Sequence, residues 1–186
     1  MIDRRTMIAG ALAAATPPLA ARGQVSRITA YAFSFPALQS GDIRLAEYTS
    51  HPLLVVNTAS QCGYTPQYAG LQQLWSEFHG RGLTIIGVPS NDFGGQEPGG
   101  PKEIARTAQH DYAVTFPIAA KAAVIGPSAH PFYKWAAQAR PTDVPKWNFH
   151  KYLIGRDGYI AEVFASAVEP TDTRVKTAIA KAFADT

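Results

Sequence analysis

The sequence predicts an α/β fold, because two apolar segments of strand length flank an amphipathic helix. Residues 53–58 and 83–89 have the continuous apolar character of strands that are buried on both faces. Between them, apolar side chains recur at helical spacing within residues 66–78. Such a strand-helix-strand unit implies parallel pairing through a right-handed crossover, so we expect a central sheet flanked by helices.

Shorter elements complete the predicted single domain, which extends over residues 28–186. A Gly-Asp turn between two short strands predicts an N-terminal β-hairpin, and a second hairpin near the C-terminus makes the central β-sheet mixed. A loop rich in Gly and Pro, residues 90–100, follows the second core strand. The remaining predicted elements are strands at 28–35, 43–45, 147–154 and 159–164, helices at 101–112, 129–139 and 171–183, and an extended segment at 115–118.

The first 21 residues have the pattern of an export signal. Arg4 and Arg5 precede an apolar segment at residues 7–15, and small residues at 19–21 form a cleavage site. The arginine pair is typical of a twin-arginine signal, with an ordinary secretory signal as the alternative. The apolar segment is shorter than the roughly 20 residues that cross a bilayer. We therefore expect a mature protein that is exported to the periplasm without stable membrane insertion.

Composition and charge indicate a globular chain and argue against nucleic acid as a partner. Hydrophobic residues make up 46% of the chain and charged residues 17%, which is typical of a globular domain. The formal net charge of +3 comes largely from the N-terminal segment, since 14 basic and 13 acidic residues remain beyond Arg22. No basic run is left that could follow a phosphate backbone.

Cys62 is the single cysteine of the chain and is predicted to be a nucleophile. It follows the strand at residues 53–58 and precedes Thr65-Pro66, a pair that predicts a helix start with the Thr65 hydroxyl as N-cap. The free amides of a helix N-terminus favour a thiolate. The alternative is a cysteine packed as a small hydrophobe, but Gly, Gln, Ser and Thr surround this one. Having no partner, it cannot form an intramolecular disulfide.

No metal or cofactor site is expected. The five histidines lack the mutual spacing of metal ligands, and the acidic residues are scattered. Gly94-Gly95 lacks the glycine patterns that hold phosphates. We therefore expect the histidines to be structural or exposed; they are His51, His79, His110, His130 and His150.

Three separated motifs together resemble the glutathione peroxidase family, in the form that uses cysteine. They are Val-Asn-Thr-Ala-Ser-Gln-Cys-Gly at residues 56–63, Asn-Asp-Phe-Gly-Gly-Gln-Glu-Pro-Gly at residues 91–99, and Lys-Trp-Asn-Phe at residues 146–149. They occur in the family's order, and the resemblance covers about residues 28–183. It implies a thioredoxin-like fold, in which Cys-Gly-Tyr-Thr stands where thioredoxin-like proteins carry Cys-x-x-Cys.

The resemblance also implies a catalytic tetrad of Cys62, Gln96, Trp147 and Asn148. Cys62 would attack the O–O bond of a hydroperoxide and become a sulfenic acid. Amide and indole N–H groups would stabilise first the thiolate and then the leaving oxygen, without titrating themselves. Taken singly, Trp147 fits a core residue, Asn148 a turn residue and Gln96 a solvated loop residue. Their occurrence together with Cys62 favours the catalytic interpretation.

Two departures from the family pattern bear on mechanism and assembly. Thioredoxin-dependent members have a resolving cysteine at the position of Ala108, so an external thiol must reduce the sulfenic acid here. Glutathione or a thioredoxin-like protein would fill that role. The segment at residues 140–145 is shorter than the oligomerisation loop of tetrameric members, which implies a monomer.

Three functions are compatible with these residues. The first is a thiol-dependent peroxidase that reduces hydrogen peroxide or organic and lipid hydroperoxides through Cys62. The second is a peroxide sensor or redox relay, in which oxidised Cys62 forms a mixed disulfide with a partner protein. The third is a thioredoxin-fold binding module without turnover, which the complete tetrad argues against.

Overall fold

The centre of the molecule is a four-stranded mixed sheet with the strand order β4-β3-β5-β6. The computed structural model describes residues 28–184. Strand β3 (Leu53–Thr58) pairs in parallel with β4 (Thr84–Pro89) and antiparallel with β5 (Lys151–Ile154). The edge strand β6 (Ile160–Phe164) pairs antiparallel with β5. The predicted mixed sheet is confirmed, and β3 has its predicted bounds.

Helices cover both faces of this sheet, which explains the continuous apolar character of β3. Leu54 lies in one apolar cluster with side chains of α1 (Gln67–Phe78) and α4 (Thr173–Ala184). The adjacent Leu53 lies in a second cluster, formed with α3 (Pro131–Ala139) and the N-terminal hairpin. Successive strand residues point to opposite faces, so a strand between two helical layers has no polar side. Truncating either leucine to alanine would cost about 2–5 kcal/mol of stability.

The N-terminal hairpin is present but shorter than predicted. Strands β1 (Ser34–Pro36) and β2 (Asp42–Arg44) pair antiparallel. The predicted strand at residues 28–35 is wrong in its first part, because Ala30–Ala32 form a single 3-10 turn. The Ala30 amide donates to the Gly158 carbonyl at 2.8 Å, a contact with the distant β5-β6 turn that local sequence does not reveal.

The helix that follows the Gly- and Pro-rich loop has two geometries. An α-helix, α2 (Pro101–Ala105), continues as a π-helical segment, Arg106–Asp111. Its extent matches the predicted helix at residues 101–112. Ala108 is fully buried in the π-helical segment, and its carbonyl accepts the Val114 amide at 2.9 Å. Short π-helical segments are rare and often occur beside functional sites.

The predicted strand at residues 147–154 is wrong over its first half. Strand β5 begins only at Lys151, and residues 147–150 form a turn. Phe149 adopts a left-handed backbone conformation with φ of +64°, which is incompatible with a strand. This turn carries the third motif.

The predicted export signal lies outside the described residues. Within residues 28–184, no helix combines the length and the apolar character needed to cross a membrane.

Candidate active site

Cys62 lies in the turn between β3 and α1, and Thr65 holds that turn closed. The Thr65 hydroxyl accepts the Cys62 amide at 3.0 Å and donates to the Ala59 carbonyl at 2.9 Å. The prediction that this hydroxyl caps α1 is wrong, since α1 begins at Gln67 without a side-chain cap. A hydroxyl that is already bonded to the cysteine turn is not available to the helix. Thr65 therefore fixes the backbone of Cys62.

The sulfur of Cys62 is largely buried but has a polar neighbour. Cys62 is 8% exposed, and its Sγ accepts the Tyr64 amide at 3.4 Å. The residue opens on a shallow cleft, and the other residues that line the cleft are Ser60, Gly63, Thr65, Pro66, Thr107, Asp111 and Tyr112.

Gln96 lies on the loop that follows β4, directly beside the cysteine turn. Its carbonyl accepts the Gln61 amide at 3.0 Å, which joins the two segments through the residue before Cys62. Gly94 and Gly95 precede it with φ of +65° and +64°, a conformation that glycine adopts without strain. The glycines of the second motif thus allow the tight turn that brings Gln96 back to the cysteine.

Asn57, at the end of β3, holds the turn that carries Trp147 and Asn148. Its Nδ2 donates to the Trp147 carbonyl at 3.1 Å, and its Oδ1 accepts the His150 amide at 3.0 Å. Its carbonyl accepts the Phe149 amide at 2.6 Å. Asn57 is fully buried, so these bonds replace hydration that it has lost.

The side chains of Gln96 and Asn148 meet directly. Nδ2 of Asn148 donates to Oε1 of Gln96 at 2.9 Å. Asn148 is fully buried and its Oδ1 has no partner within the described structure. The bond orients the Gln96 amide, so that its Nε2 group, a donor, points away from Asn148.

Trp147 is the exposed member of the predicted tetrad. It is 38% exposed, and its ring packs against Phe93 with centroids 5.9 Å apart and planes tilted by 45°. The structure thus places all four predicted residues on three loops around the carboxyl ends of β3 and β4. Gln96 and Asn148 are in direct contact, and Cys62 is linked to them through Gln61. No hydrogen bond joins Sγ to the side chains of the other three within residues 28–184.

Two buried basic residues lie next to the Trp147 turn, one of them Lys151. It is fully buried, and its ammonium donates to Oε1 of Gln67 and to the Phe149 carbonyl, each at 2.7 Å. Burial lowers the pKa of Lys151 to about 7. Lys151 thus links Gln67, at the start of α1, to Phe149, the residue of the turn with a left-handed backbone conformation.

The second is His150. Burial, together with the nearby Lys151 charge, lowers the pKa of His150 to about 4. His150 is therefore neutral at physiological pH. His130 caps α3 instead, accepting the Phe132 amide through Nδ1 at 3.3 Å. No group of three or more His, Cys, Asp or Glu side chains suited to a metal ion occurs in the part of the chain that the structure describes.

Sequence reasoning did not single out three residues that build this site. Asn57, Glu97 and Lys151 are all fully buried polar or charged side chains. Each had a signal: Asn57 ends an apolar strand, Glu97 directly follows Gln96, and Lys151 opens an otherwise apolar strand. A polar residue in such a place is buried only when it has partners.

Comparison with known proteins identifies the family. The glutathione peroxidase family matches residues 30–137, which include the first two motifs. The hydroperoxy fatty acid reductase gpx1 of Synechocystis is 44% identical over 153 residues, covering 77% of this chain and 90% of that protein. The glutathione peroxidase homolog BsaA of Staphylococcus epidermidis is 42% identical over 141 residues, covering 74% of this chain and 88% of its own.

Solved structures agree on the fold. The crystal structure of Trgpx in its apo form superposes with a TM-score of 0.71 at 33% identity, covering 86% of this chain and 98% of that one. A thioredoxin family thiol:disulfide interchange protein from Chlorobium tepidum superposes with a TM-score of 0.60 at 15% identity, covering 79% and 92% of the two chains, which shows a shared fold. The fold is therefore thioredoxin-like, as predicted. With its relatives named as peroxidases and hydroperoxide reductases, this chain is a peroxidase-type oxidoreductase that belongs to the glutathione peroxidase family.

Proposed function

We propose that this protein reduces hydrogen peroxide or organic hydroperoxides through Cys62 and is returned to its thiol state by an external thiol. The Cys62 thiolate attacks the terminal oxygen of the hydroperoxide, so that an S–O bond forms as the O–O bond breaks. Cysteine becomes a sulfenic acid, and the departing oxygen takes up a proton to leave as water or an alcohol. One external thiol then forms a mixed disulfide with Cys62 and releases water, and a second thiol frees the cysteine.

The observation that carries this proposal is the hydrogen-bonded pair of Gln96 and Asn148 beside the cysteine turn. Amide donors fixed in this way stabilise negative charge on sulfur and on the departing oxygen, and they cost no reorganisation during the reaction. Trp147 supplies an indole N–H on the same turn as Asn148. We assign Cys62 as nucleophile, with Gln96, Trp147 and Asn148 as hydrogen-bond donors.

The external thiol follows from the cysteine count. Cys62 is the single cysteine in the chain, and Ala108 has no thiol to offer from the π-helical segment. Glutathione or a thioredoxin-like protein supplies the reducing equivalents in this proposal. The working form is a monomer, exported to the periplasm after loss of residues 1–21.

A steady-state assay with a panel of reductants tests this function. Purified mature protein receives saturating hydroperoxide together with glutathione, a thioredoxin system or another small thiol, and hydroperoxide consumption is followed. We expect many turnovers per Cys62 with at least one reductant and none with Cys62→Ser. The exposed Gln73→Ala variant serves as a control for handling and folding, and its turnover should equal that of the unmodified protein.

A peroxide sensor or redox relay is the second candidate, favoured by the absence of a resolving cysteine. A sulfenic acid without an internal partner persists until another protein's thiol reaches it. The same assay separates the two functions. A protein that stops after one turnover with every reductant, yet forms a mixed disulfide with a partner, is a relay.

A further inference from the structure

Glu97 is a buried carboxyl group whose position the proposed cycle does not yet explain. It directly follows Gln96 and is fully buried. Its Oε2 accepts the Ser60 hydroxyl at 3.1 Å, while its Oε1 has no partner within the described structure. Burying a carboxylate with one oxygen left without a partner is energetically unfavourable. A residue whose only task was to close the loop would not need this charge.

The backbone of Glu97 is held independently of its side chain. Its amide donates to Oδ1 of Asn91 at 2.8 Å, and its carbonyl accepts the Lys121 ammonium at 3.0 Å. Lys121 also donates to the Gly99 carbonyl at 2.8 Å. Backbone hydrogen bonds therefore hold the loop that carries Glu97, and the carboxyl group can change its protonation state without displacing this loop.

The surroundings of Glu97 make its carboxylate a better proton acceptor than an exposed carboxylate. Burial raises the pKa of Glu97 above its ordinary value, which the Ser60 hydrogen bonds and the Lys121 charge oppose only in part. The other titratable group that faces it is the buried Tyr68, whose hydroxyl lies beside the Thr58 side chain. Lys121 bonds to backbone carbonyls and not to the carboxylate. No side chain of opposite charge is thus bonded to Glu97 in the described structure.

Ser60 connects this carboxyl group to the thiol's cleft. Ser60 is half-buried, lies two residues before Cys62 and lines the same cleft. A hydroxyl both donates and accepts hydrogen bonds, so it can pass a proton in either direction by exchanging its own. Glu97 is therefore bonded to a hydroxyl that lines the cleft of the thiol, and a proton that moves between Ser60 and the reacting groups crosses that cleft.

We propose that Glu97 stores the proton of the Cys62 thiol, receiving it through Ser60, and returns it by the same path to the oxygen that leaves the hydroperoxide. The inference rests on the proposed peroxidase function. In the first step the thiol and the carboxylate become a thiolate and a carboxylic acid. In the second, the thiolate and the hydroperoxide become a sulfenic acid and an alkoxide, or a hydroxide from hydrogen peroxide. The carboxylic acid then protonates that anion and is a carboxylate again, so the proton count closes within one oxidation event.

The test measures single-turnover oxidation of Cys62 by hydroperoxide, without reductant, over a range of pH. Variants are Glu97→Gln, which keeps the shape and an acceptor for Ser60 but cannot titrate, and the pair Ser60→Ala and Ser60→Thr. Glu162→Gln, on the exposed edge strand, is the matched control. Iodoacetamide alkylation is measured in parallel, because its iodide leaving group needs no proton.

We expect Glu97→Gln and Ser60→Ala to slow oxidation about 100- to 10,000-fold at pH 7, in the range of lost acid-base catalysis, and Ser60→Thr to restore it. The Glu97-dependent step of the pH profile should vanish in Glu97→Gln. The rate of alkylation by iodoacetamide, measured at a pH where the thiol is fully ionised, should differ less than about twofold between each variant and the unmodified protein.

An unchanged rate and pH profile in Glu97→Gln would overturn the proton store. So would equal losses in oxidation and alkylation, which would mean a purely structural role. If Glu97→Gln fails to fold, the comparison of Ser60→Ala with Ser60→Thr tests the proposal instead. Equal rates of Cys62 oxidation in these two variants would refute proton transfer through Ser60. If the unmodified protein itself is not oxidised by hydroperoxide, the proposed function fails and this inference with it. Normal oxidation of the unmodified protein with no effect of the variants refutes the proton store alone.

Discussion

Asn148 donates from Nδ2 to Oε1 of Gln96 at 2.9 Å, joining two loops that are 52 residues apart in the sequence. Each of these loops is anchored to the region around Cys62 by a separate contact. Asn57, at the end of β3, holds the Asn148 turn, and the Gln61 amide holds the Gln96 loop. The side chains of Gln96 and Asn148 are thus positioned by backbone contacts as well as by each other.

Removing either amide should slow the oxidation of Cys62. Gln96→Ala and Asn148→Ala are each expected to reduce the second-order rate constant with hydroperoxide about 100- to 1000-fold, as the loss of an oxyanion donor does elsewhere. Because the two side chains act as one unit, the double variant should lose little more than either single one. Stopped-flow fluorescence measures the rates, with Gln73→Ala as control. Additive losses would show that the two amides act separately.

Asn57→Ala should destabilise the protein and displace the Trp147 turn. The change removes two side-chain hydrogen bonds and leaves the half-buried Trp147 carbonyl and the buried His150 amide unpaired. An unpaired buried group costs about 1–3 kcal/mol, so the free energy of unfolding should fall by at least about 1 kcal/mol through the His150 amide and by at most about 6 kcal/mol through both groups. Urea unfolding followed by tryptophan fluorescence measures it. A loss below about 0.5 kcal/mol would mean that the turn stands without Asn57.

Lys151 should make stability rise with pH above neutrality. Its pKa is about 7 in the folded state, below the ordinary value near 10.5, so the unfolded chain binds more protons between these pH values. Below pH 7 Lys151 is charged in both the folded and the unfolded state, so folding bears the full cost of burying the ammonium group. Above about pH 10 Lys151 is neutral in both states and this cost disappears. The free energy of unfolding should therefore increase by a few kcal/mol from pH 7 to pH 10.

Lys151→Met isolates this contribution. Methionine retains most of the apolar stem but cannot titrate, so the increase should be absent in the variant. The difference in unfolding free energy between the two proteins, measured at each pH, removes the contributions of other groups. The exposed Lys134→Met is the control. A difference that stays constant from pH 7 to pH 10 would contradict the lowered pKa.

His150 should also make stability rise with pH, but on the acid side of neutrality. Its pKa falls to about 4 in the folded state from an ordinary value near 6.5, so its contribution to stability is complete above pH 6.5 and is lost as the pH falls toward 4. His150→Gln should therefore show a weaker loss of stability between pH 6.5 and pH 4. Thermal unfolding at several pH values measures this. An identical acid limb in the two proteins would assign that limb to other groups.

Local pattern sufficed for the elements that are buried along their whole length. Strand β3 and the parallel β3-β4 pair were predictable because apolar continuity requires no knowledge of neighbours. The turn at residues 147–150 was not, because Asn57 imposes it from 90 residues away. The predicted N-cap role of Thr65 was wrong for a similar reason, because its hydroxyl accepts the Cys62 amide instead of an amide of the helix. Tertiary hydrogen bonds decided both cases.

The same limit applied to the candidate site. Cys62 was evident from its local setting, and Gln96, Trp147 and Asn148 from family motifs, since no local rule brings three loops together. A role for the Glu97 carboxyl group could be inferred only from the structure, which shows its burial and its bond to Ser60.

Direct detection of the oxidised cysteine tests the central claim most sharply. One equivalent of hydroperoxide is added to the reduced mature protein in the presence of dimedone, which reacts with sulfenic acids, and the Cys62 peptide is examined by mass spectrometry while the alcohol product is quantified. We expect one dimedone adduct on Cys62 and one alcohol per protein, with neither in Cys62→Ser. Consumption of hydroperoxide at the same rate by Cys62→Ser, or an unmodified Cys62 after the hydroperoxide is gone, would contradict the account.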